Sequence, residues 1–200
     1  MEALINAGGK GTRMGPCGVE KPMQKVGGMP AIMRVVNALM TAKNIDRVLV
    51  SVSPNTRDTK RFLEDHGVET IITSGEDFVD DLHRSFQILN GKFVMTSPSD
   101  LPLLKNYTID AFADFFDPAT MESAIAVVDE HTVRSTGIIP SYTIELDGSK
   151  WVLSGLCIMD REKTLDGTYL QETYFRTDWP DLAVNVNTQL ELDLARGFYD

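Results

Sequence analysis

Hydrophobic positions in the first half of the chain alternate between short apolar runs and stretches with helical spacing. The runs predict strands over residues 3–5, 47–52, 69–73 and 92–96. The intervening spacing predicts helices over residues 32–42, 56–66, 78–89 and 109–116. Strands that alternate with helices imply an α/β fold with a parallel sheet and right-handed crossovers. Ligands of such sheets bind beyond the carboxyl ends of the strands.

The second half of the chain is less regular. We expect strands over residues 123–129, 153–159 and 182–186, a polar excursion with short strands over 132–146, and a closing helix over 188–198. No internal repeat, low-complexity tract or linker interrupts the sequence. We therefore predict one domain over residues 1–200, built on a doubly wound, mostly parallel, Rossmann-like sheet.

The net charge of the chain limits the classes of molecule that it is expected to bind. The formal net charge of −10 argues against a nucleic-acid partner, because such a partner needs a surplus of basic residues. Basic side chains nevertheless cluster locally, since Lys10, Arg13, Lys21 and Lys25 all lie within the first 25 positions. A phosphate-bearing small molecule is compatible with this distribution.

Membrane attachment and secretion are not expected. No apolar stretch approaches the roughly 20 residues that span a bilayer, and the N-terminus lacks the pattern of a secretory signal. The two cysteines, Cys17 and Cys157, are too few and too far apart for a disulfide framework or a zinc site. A reducing, cytoplasmic location is the default expectation.

A glycine-rich segment over residues 6–15 carries the strongest chemical signal. It reads Asn-Ala-Gly-Gly-Lys-Gly-Thr-Arg-Met-Gly and directly follows the first predicted strand. Its glycines let phosphates approach the backbone amides, and its two cations add charge. The dinucleotide fingerprint is excluded because Met14 occupies its last glycine position, and the ATPase-type loop is excluded because no Gly-Lys-Ser/Thr triplet follows. The segment is therefore predicted to bind phosphate groups through Ala7, Gly8, Gly9, Lys10, Gly11, Thr12 and Arg13, and the family resemblance described below implies that these phosphates belong to a nucleotide.

An acidic residue, Asp100, follows the fourth predicted strand and therefore points toward the same crevice as the glycine loop. Magnesium prefers hard oxygen ligands, usually one or two carboxylates together with substrate phosphates. The position suits a Mg²⁺ ligand, and it also suits a turn or a helix cap before Leu101 and Pro102.

Residues 7–15, together with Glu20, Lys21 and Pro22, resemble the signature of nucleotidyltransferases that have a doubly wound sheet. This family includes enzymes acting on sugar phosphates, the molybdenum cofactor and cobinamide. The resemblance implies that the glycine loop wraps a triphosphate and that Lys21 reaches the phosphate under attack.

The family resemblance also implies a metal site and a catalytic set. Asp100 and Asn187 would be the protein ligands of Mg²⁺, and Lys21, Arg13 and Asp100 would be the catalytic residues. Asn187 and Thr188 together also suit the cap of the closing helix, and this role is compatible with metal binding.

The same resemblance places base recognition after the third strand, at Ser74 and Gly75, and acceptor binding at Gly155 and Asn185. A β-bulge is the alternative interpretation of Gly155, and Asn185 suits backbone support as well as acceptor contact. Several acidic residues suit either recognition of guanine N–H groups or a helix N-terminus, and the choice among them stays open. They are Glu76, Asp77, Asp80 and Asp81.

Within the family, the chain most resembles the archaeal-type GTP:adenosylcobinamide-phosphate guanylyltransferases over nearly its whole length. Pro16 and Cys17 look like an insertion, and residues 132–150 match poorly. The matching segments are residues 2–15, 18–22, 53–56, 59–60, 73–75, 99–101 and 185–188.

This resemblance implies transfer of GMP from GTP to adenosylcobinamide phosphate with release of pyrophosphate, by a homodimer. The alternatives are a molybdenum cofactor guanylyltransferase, a sugar-phosphate nucleotidyltransferase and a non-catalytic GTP-binding regulator.

Overall fold

The computed structural model describes residues 1–15 and 18–199, so the expected insertion at Pro16 and Cys17 lies outside the described residues. The strands are β1 Glu2–Asn6, β2 Lys25–Val26, β3 Met29–Pro30, β4 Arg47–Val52, β5 Glu69–Ile72, β6 Phe93–Pro98, β7 Ser123–Asp129, β8 Thr143–Leu146, β9 Ser149–Asp160 and β10 Glu172–Thr177. The helices are α1 Ala31–Met40, α2 Arg57–Asp65, α3 Phe78–Phe86, α4 Asn106–Phe115, α5 Glu130–Ser135, α6 Arg161–Leu165 and α7 Gln189–Gly197. None of the helices in this described part is long and apolar enough to cross a membrane.

One eight-stranded sheet organises these elements, with the strand order β10-β7-β9-β6-β1-β4-β5 and β8 paired to β9. Strand β1 pairs in parallel with β4 and β6, and β4 pairs in parallel with β5. Strand β9 runs antiparallel between β6 and β7, whereas β10 is parallel to β7. Strands β2 and β3 form a separate antiparallel pair. The predicted α/β class and mostly parallel sheet are confirmed, with β9 as an antiparallel insertion.

The central strand is buried on both faces. Ala3 and Ile5 pack into the larger core cluster with side chains of α1, whereas Leu4 packs into a second cluster with Leu82 and Phe86 of α3. Each of the three β1 side chains is fully buried. Burial on both faces fixes β1 in place, so the loop that follows it starts from a rigid position at the carboxyl edge of the sheet.

The predicted strand over residues 182–186 is wrong. A short 3-10 turn spans Pro180–Leu182, and residues 183–187 pair with none of the described strands. Leu182, Ala183, Val184 and Val186 are buried, so core packing accounts for an apolar run that has no strand partner. The segment is held instead by a hydrogen bond from the Val186 N–H to the Asp100 carbonyl oxygen at 2.9 Å.

The polar excursion expected over residues 132–146 contains helix α5 as well as β8. The carboxylate of Asp129 caps this helix by accepting a hydrogen bond from the Thr132 N–H. Helix α6 and strand β10 were not predicted. The first has five residues, too few for helical periodicity, and the second, Glu-Thr-Tyr-Phe-Arg-Thr, lacks an apolar run.

Candidate functional site

Three neighbouring cavities lie along the carboxyl edge of the sheet. The central cavity, about 290 Å³, is lined by the glycine loop and Lys21. The α3-side cavity, about 350 Å³, lies toward the start of α3 and shares Asn6 and Gly9 with the central one. The hairpin-side cavity, about 320 Å³, lies beside β9 and shares Asp100 and Asn187 with the central one. These shared lining residues make the three cavities neighbours along one cleft.

The glycine loop folds over the turn that carries Lys21. Gly11 has a left-handed φ of 61° and leads into a 3-10 turn over Thr12–Met14. A Cβ atom at Gly11 would lie 3.2 Å from the Lys21 Cβ, whereas one at Gly9 would meet no described atom within 4 Å. The loop is therefore packed closely on the lysine side and open toward the cavity.

Lys21, Asp100 and Asn187 meet at the junction of the central and hairpin-side cavities. The Lys21 ammonium contacts Asp100 Oδ2 and donates to Asn187 Oδ1 at 2.7 Å. The Lys21 and Asp100 side chains are only 16% and 13% exposed. Asn185 Nδ2 in turn donates to Asp100 Oδ1 at 3.3 Å and to the Ser154 carbonyl oxygen at 3.2 Å. The fold thus brings together residues from distant segments of the chain.

The donor set at this point suits a divalent cation. Asp100 and Asn187 bind the same ammonium through hard oxygen atoms, so these two oxygens lie close enough to share a positive ion. Among residues 1–15 and 18–199, no cluster of three His, Cys, Asp or Glu side chains that could hold a metal occurs. One carboxylate and one amide oxygen leave coordination positions for phosphate oxygens and water, which is the pattern that Mg²⁺ prefers.

Glu20 fixes the lysine turn to helix α2. Its carboxylate accepts hydrogen bonds from the Asp58 N–H at 2.9 Å, the Thr59 N–H at 2.7 Å and the Thr59 hydroxyl at 2.6 Å. The first turn of a helix favours such an acid because its amides lack partners. This role was not predicted from the sequence. The position of Glu20 directly before Lys21 was the one signal that could have indicated it.

Ser53 and Asn55 hold two loops of the cleft together. The Ser53 hydroxyl donates to the Gly8 carbonyl oxygen at 2.6 Å. Asn55 Nδ2 lies 3.4 Å from the carbonyl oxygens of both Gly8 and Gly75. The residues after β4 therefore act as a bracket between the glycine loop and the loop after β5. This segment matched the family pattern in sequence, but no role was predicted for it.

Ser74 and Gly75 have different positions relative to the cleft. The Ser74 N–H and hydroxyl and the Gly75 N–H all donate to the Asp81 carboxylate at 2.8 Å. Gly75 lines the α3-side cavity, whereas Ser74 is not among the described residues that line the three cavities. Ser74 therefore braces the loop in this structure.

The four acidic residues left open by the sequence are separated by their contacts. Asp81 is occupied by the groups just described, and Asp77 caps α3 by accepting from two N–H groups of its first turn. Glu76 lines the α3-side cavity and forms an exposed ion pair with Lys10 at 2.6 Å. Asp80 is not among the described residues along that cavity.

We expect Gly75→Ala to destabilise the protein more than a matched glycine substitution does. Gly75 has a φ of 70°, and an added Cβ would lie 2.5 to 2.7 Å from Ser53 Oγ, Asn55 Nδ2 and the Gly8 carbonyl oxygen. Gly148→Ala is the control, because its φ is 77° and a Cβ there meets no described atom within 4 Å. Both variants incur the left-handed backbone cost of about 1–2 kcal/mol, and the clash should add about 1–3 kcal/mol to the first alone. Equal losses in chemical denaturation would contradict this assignment.

Gly155 stands in a β-bulge of β9. The pairing of β7 with β9 changes register between Ile125 and Val127, opposite Gly155. Gly155 has a φ of 86°, and a Cβ there would lie 3.1 Å from the nearest atom of Pro98. The bulge interpretation therefore holds, and Gly155 also lines the hairpin-side cavity, as Asn185 does.

Comparison with known proteins places the chain among nucleotidyltransferases. The MobA-like NTP transferase domain matches residues 3–154. Adenosylcobinamide-phosphate guanylyltransferase of Methanocaldococcus jannaschii is 32% identical over 98% of this chain and 95% of that protein. A 2-C-methyl-D-erythritol 4-phosphate cytidylyltransferase of Clostridium botulinum is 26% identical over 73% of this chain and 62% of that protein.

The fold has relatives among solved structures. A nucleotidyl transferase from Methanothermobacter thermautotroptrophicus superposes with a TM-score of 0.71 at 16% identity, covering 99% of this chain and 96% of that one. At this identity the likeness concerns the fold alone. Given the domain match and the full-length relative, the chain belongs to the family of MobA-like NTP transferases.

Proposed function

We propose that this nucleotidyltransferase moves GMP from GTP to adenosylcobinamide phosphate and releases pyrophosphate. The observation that carries nucleotidyl transfer is the meeting of Lys21, Asp100 and Asn187 at the junction of the central and hairpin-side cavities. The choice of donor base and acceptor rests on the 32% identity to the Methanocaldococcus jannaschii enzyme.

In the proposed reaction, an oxygen of the acceptor phosphate attacks the α-phosphorus of GTP. A new P–O bond forms there, and the bond from the α-phosphorus to the bridging oxygen breaks, so that pyrophosphate leaves. The attacking phosphate is already anionic and needs no general base. Catalysis then consists of alignment and of stabilising charge in a partly desolvated site.

The three cavities supply places for the parts of this reaction. We assign the base to the α3-side cavity, beside Gly75, the triphosphate to the central cavity, and the acceptor to the hairpin-side cavity, beside Gly155 and Asn185. Arg13 lines both the central and hairpin-side cavities, so we assign it to the phosphates of donor and acceptor where these would meet.

Lys21 and Lys10 have separate tasks in this scheme. Lys21 would move from its contacts with Asp100 and Asn187 to the α-phosphate, and Lys10 would leave Glu76 for the departing pyrophosphate. That movement frees the Glu76 carboxylate to accept a guanine N–H. Mg²⁺ held by Asp100 and Asn187 would neutralise charge on the phosphate oxygens.

The test offers the purified protein GTP, ATP, CTP and UTP, each with adenosylcobinamide phosphate, the molybdenum cofactor or a sugar phosphate. We expect pyrophosphate and adenosylcobinamide-GDP only from GTP with the cobinamide acceptor, identified by mass spectrometry. Efficient transfer to another acceptor would replace the proposed one. GTP binding without pyrophosphate release under every condition would favour a regulator.

Two further proposals rest on the resemblance to the family. We place the enzyme in the cytoplasm, where GTP is available, and we expect it to be a homodimer. Sedimentation velocity over a range of protein concentrations tests the second proposal, and a single species with the mass of one chain would contradict it.

We expect Glu20→Ala to lower kcat by about 10-fold or more, because small displacements of an aligned group are costly. The variant loses the three hydrogen bonds that anchor the Lys21 turn to α2, and losing a helix cap costs about 1 kcal/mol of stability. Glu162→Ala, at a 74% exposed side chain in the first turn of α6, is the control. A variant with lower stability but normal kcat would show that Glu20 does not position Lys21.

A further inference from the structure

We propose that Ile139 and Tyr142 form a platform at the mouth of the hairpin-side cavity on which the acceptor's corrin ring packs. The inference rests on the proposed function, because it identifies how that acceptor would be recognised. The platform lies in the segment between α5 and β8, where the chain matches the family pattern poorly.

The proposal has the acceptor enter the cavity past this segment. The hairpin-side cavity shares Arg13, Asp100 and Asn187 with the central cavity. An acceptor phosphate that reaches this shared wall lies next to the triphosphate site, so the remainder of the acceptor must extend outward through the mouth. Ile139 and Tyr142 both line this cavity.

The segment presents apolar side chains to both the core and the solvent. Ile138 is buried in the larger core cluster with 8% exposure, and this anchors the segment. The neighbouring Ile139 is 77% exposed, and Tyr142 is 66% exposed. Two large apolar side chains at the opening of a ligand cavity form a surface that a partly apolar ligand can cover, whereas isolated exposed side chains elsewhere need no such explanation.

Size distinguishes a macrocyclic acceptor from a small one. A cavity of about 320 Å³ is at the small end of the range for drug-sized ligands. A corrin ring with its peripheral amides and adenosyl group is larger than that, so only the phosphate-bearing arm can enter. The ring must then lie against the mouth, where its conjugated face and methyl groups meet Ile139 and the Tyr142 ring. A sugar phosphate would fit inside and would gain nothing from this surface.

The experiment replaces the two side chains separately by serine. We expect Ile139→Ser and Tyr142→Ser each to raise the KM for adenosylcobinamide phosphate about 10-fold or more, the size expected when a large apolar contact is lost. The KM for GTP and the kcat at saturating acceptor should stay unchanged. Tyr142→Phe keeps the ring and should retain the normal KM. Ile88→Ser and Tyr169→Ser, at positions 46% and 84% exposed and outside this cavity, are the matched controls.

A second measurement isolates the ring from the phosphate. Cobinamide without a phosphate should inhibit the unsubstituted enzyme competitively against the acceptor, and its inhibition constant should rise in both serine variants. If both serine variants remain active and show an unchanged acceptor KM and an unchanged inhibition constant for cobinamide, the platform is overturned. The proposed function is not affected by that result. Absence of guanylyl transfer by the unsubstituted enzyme would overturn the proposed function itself, and the platform with it.

Discussion

Replacing Lys21 with methionine is expected to lower kcat for guanylyl transfer by about 10²-fold or more, as loss of one oriented charge commonly does. Methionine keeps a long apolar stem but removes the ammonium that contacts Asp100 and Asn187. The Lys21 side chain is only 16% exposed, so solvent screens its charge weakly. Because the ammonium is assigned to the phosphate under attack, turnover should fall more than the affinity for GTP.

The measurement pairs steady-state pyrophosphate release with calorimetric titration of GTP. Lys25→Met, at an exposed lysine close to Lys21 in the chain, is the control for a general loss of positive charge. Near-normal turnover in Lys21→Met would remove this residue from the mechanism. A large loss of turnover in Lys25→Met would mean that the net charge of the protein, and not the position of Lys21, causes the effect.

Asp100→Asn is expected to reduce turnover by about 10²-fold or more and to shift the Mg²⁺ dependence to higher concentrations. The substitution keeps the side-chain shape but removes the carboxylate assigned to the cation, so that only neutral oxygens would remain as protein ligands. It also removes the negative partner of the Lys21 ammonium, whose side chain is largely buried. The backbone bond from the Val186 N–H to the Asp100 carbonyl oxygen is unaffected, so the local fold should persist.

Titration of Mg²⁺ against kcat/KM measures this shift. Asp65→Asn, at an exposed position at the end of α2, controls for the change in net charge. An unchanged Mg²⁺ dependence combined with lower turnover would mean that Asp100 orients Lys21 without binding the metal. Unchanged turnover would remove Asp100 from the site altogether.

The central part of the fold could be predicted from the sequence because its strands are buried on both faces. Strands β1, β4 and β6 are short apolar runs in the sequence, and those runs locate the carboxyl edge at which the glycine loop starts. The periphery carries a weaker signal. Residues 182–186 form an apolar run because they pack against the core, whereas β10 lacks such a run although it pairs with β7. Whether such a segment becomes a strand depends on which strands lie next to it in the fold, and local periodicity contains no information about those strands.

The residues of the candidate site also fall into those that the sequence indicated and those that only the structure revealed. The glycine loop and Asp100 were proposed from composition and position after a strand, and Lys21 was proposed from the family resemblance. The anchoring by Glu20 and the bracket made by Ser53 and Asn55 depend on hydrogen bonds between residues 20 to 47 positions apart, and no spacing rule indicates which partners meet. A group of reactive residues within one segment can be identified from the sequence. Hydrogen bonds by which one segment holds another in place can be identified only from the folded structure.

Two parts of the polypeptide build the cleft, and the bulged strand β9 belongs to the second of them. Apart from Asn187, every described residue that lines the central and α3-side cavities precedes position 101, whereas most of those that line the hairpin-side cavity follow position 132. Insertions or exchanges between α5 and β9 can therefore alter which molecule receives the nucleotide while the donor end stays intact. Such an arrangement allows the product of the reaction to be changed by remodelling a single supersecondary unit.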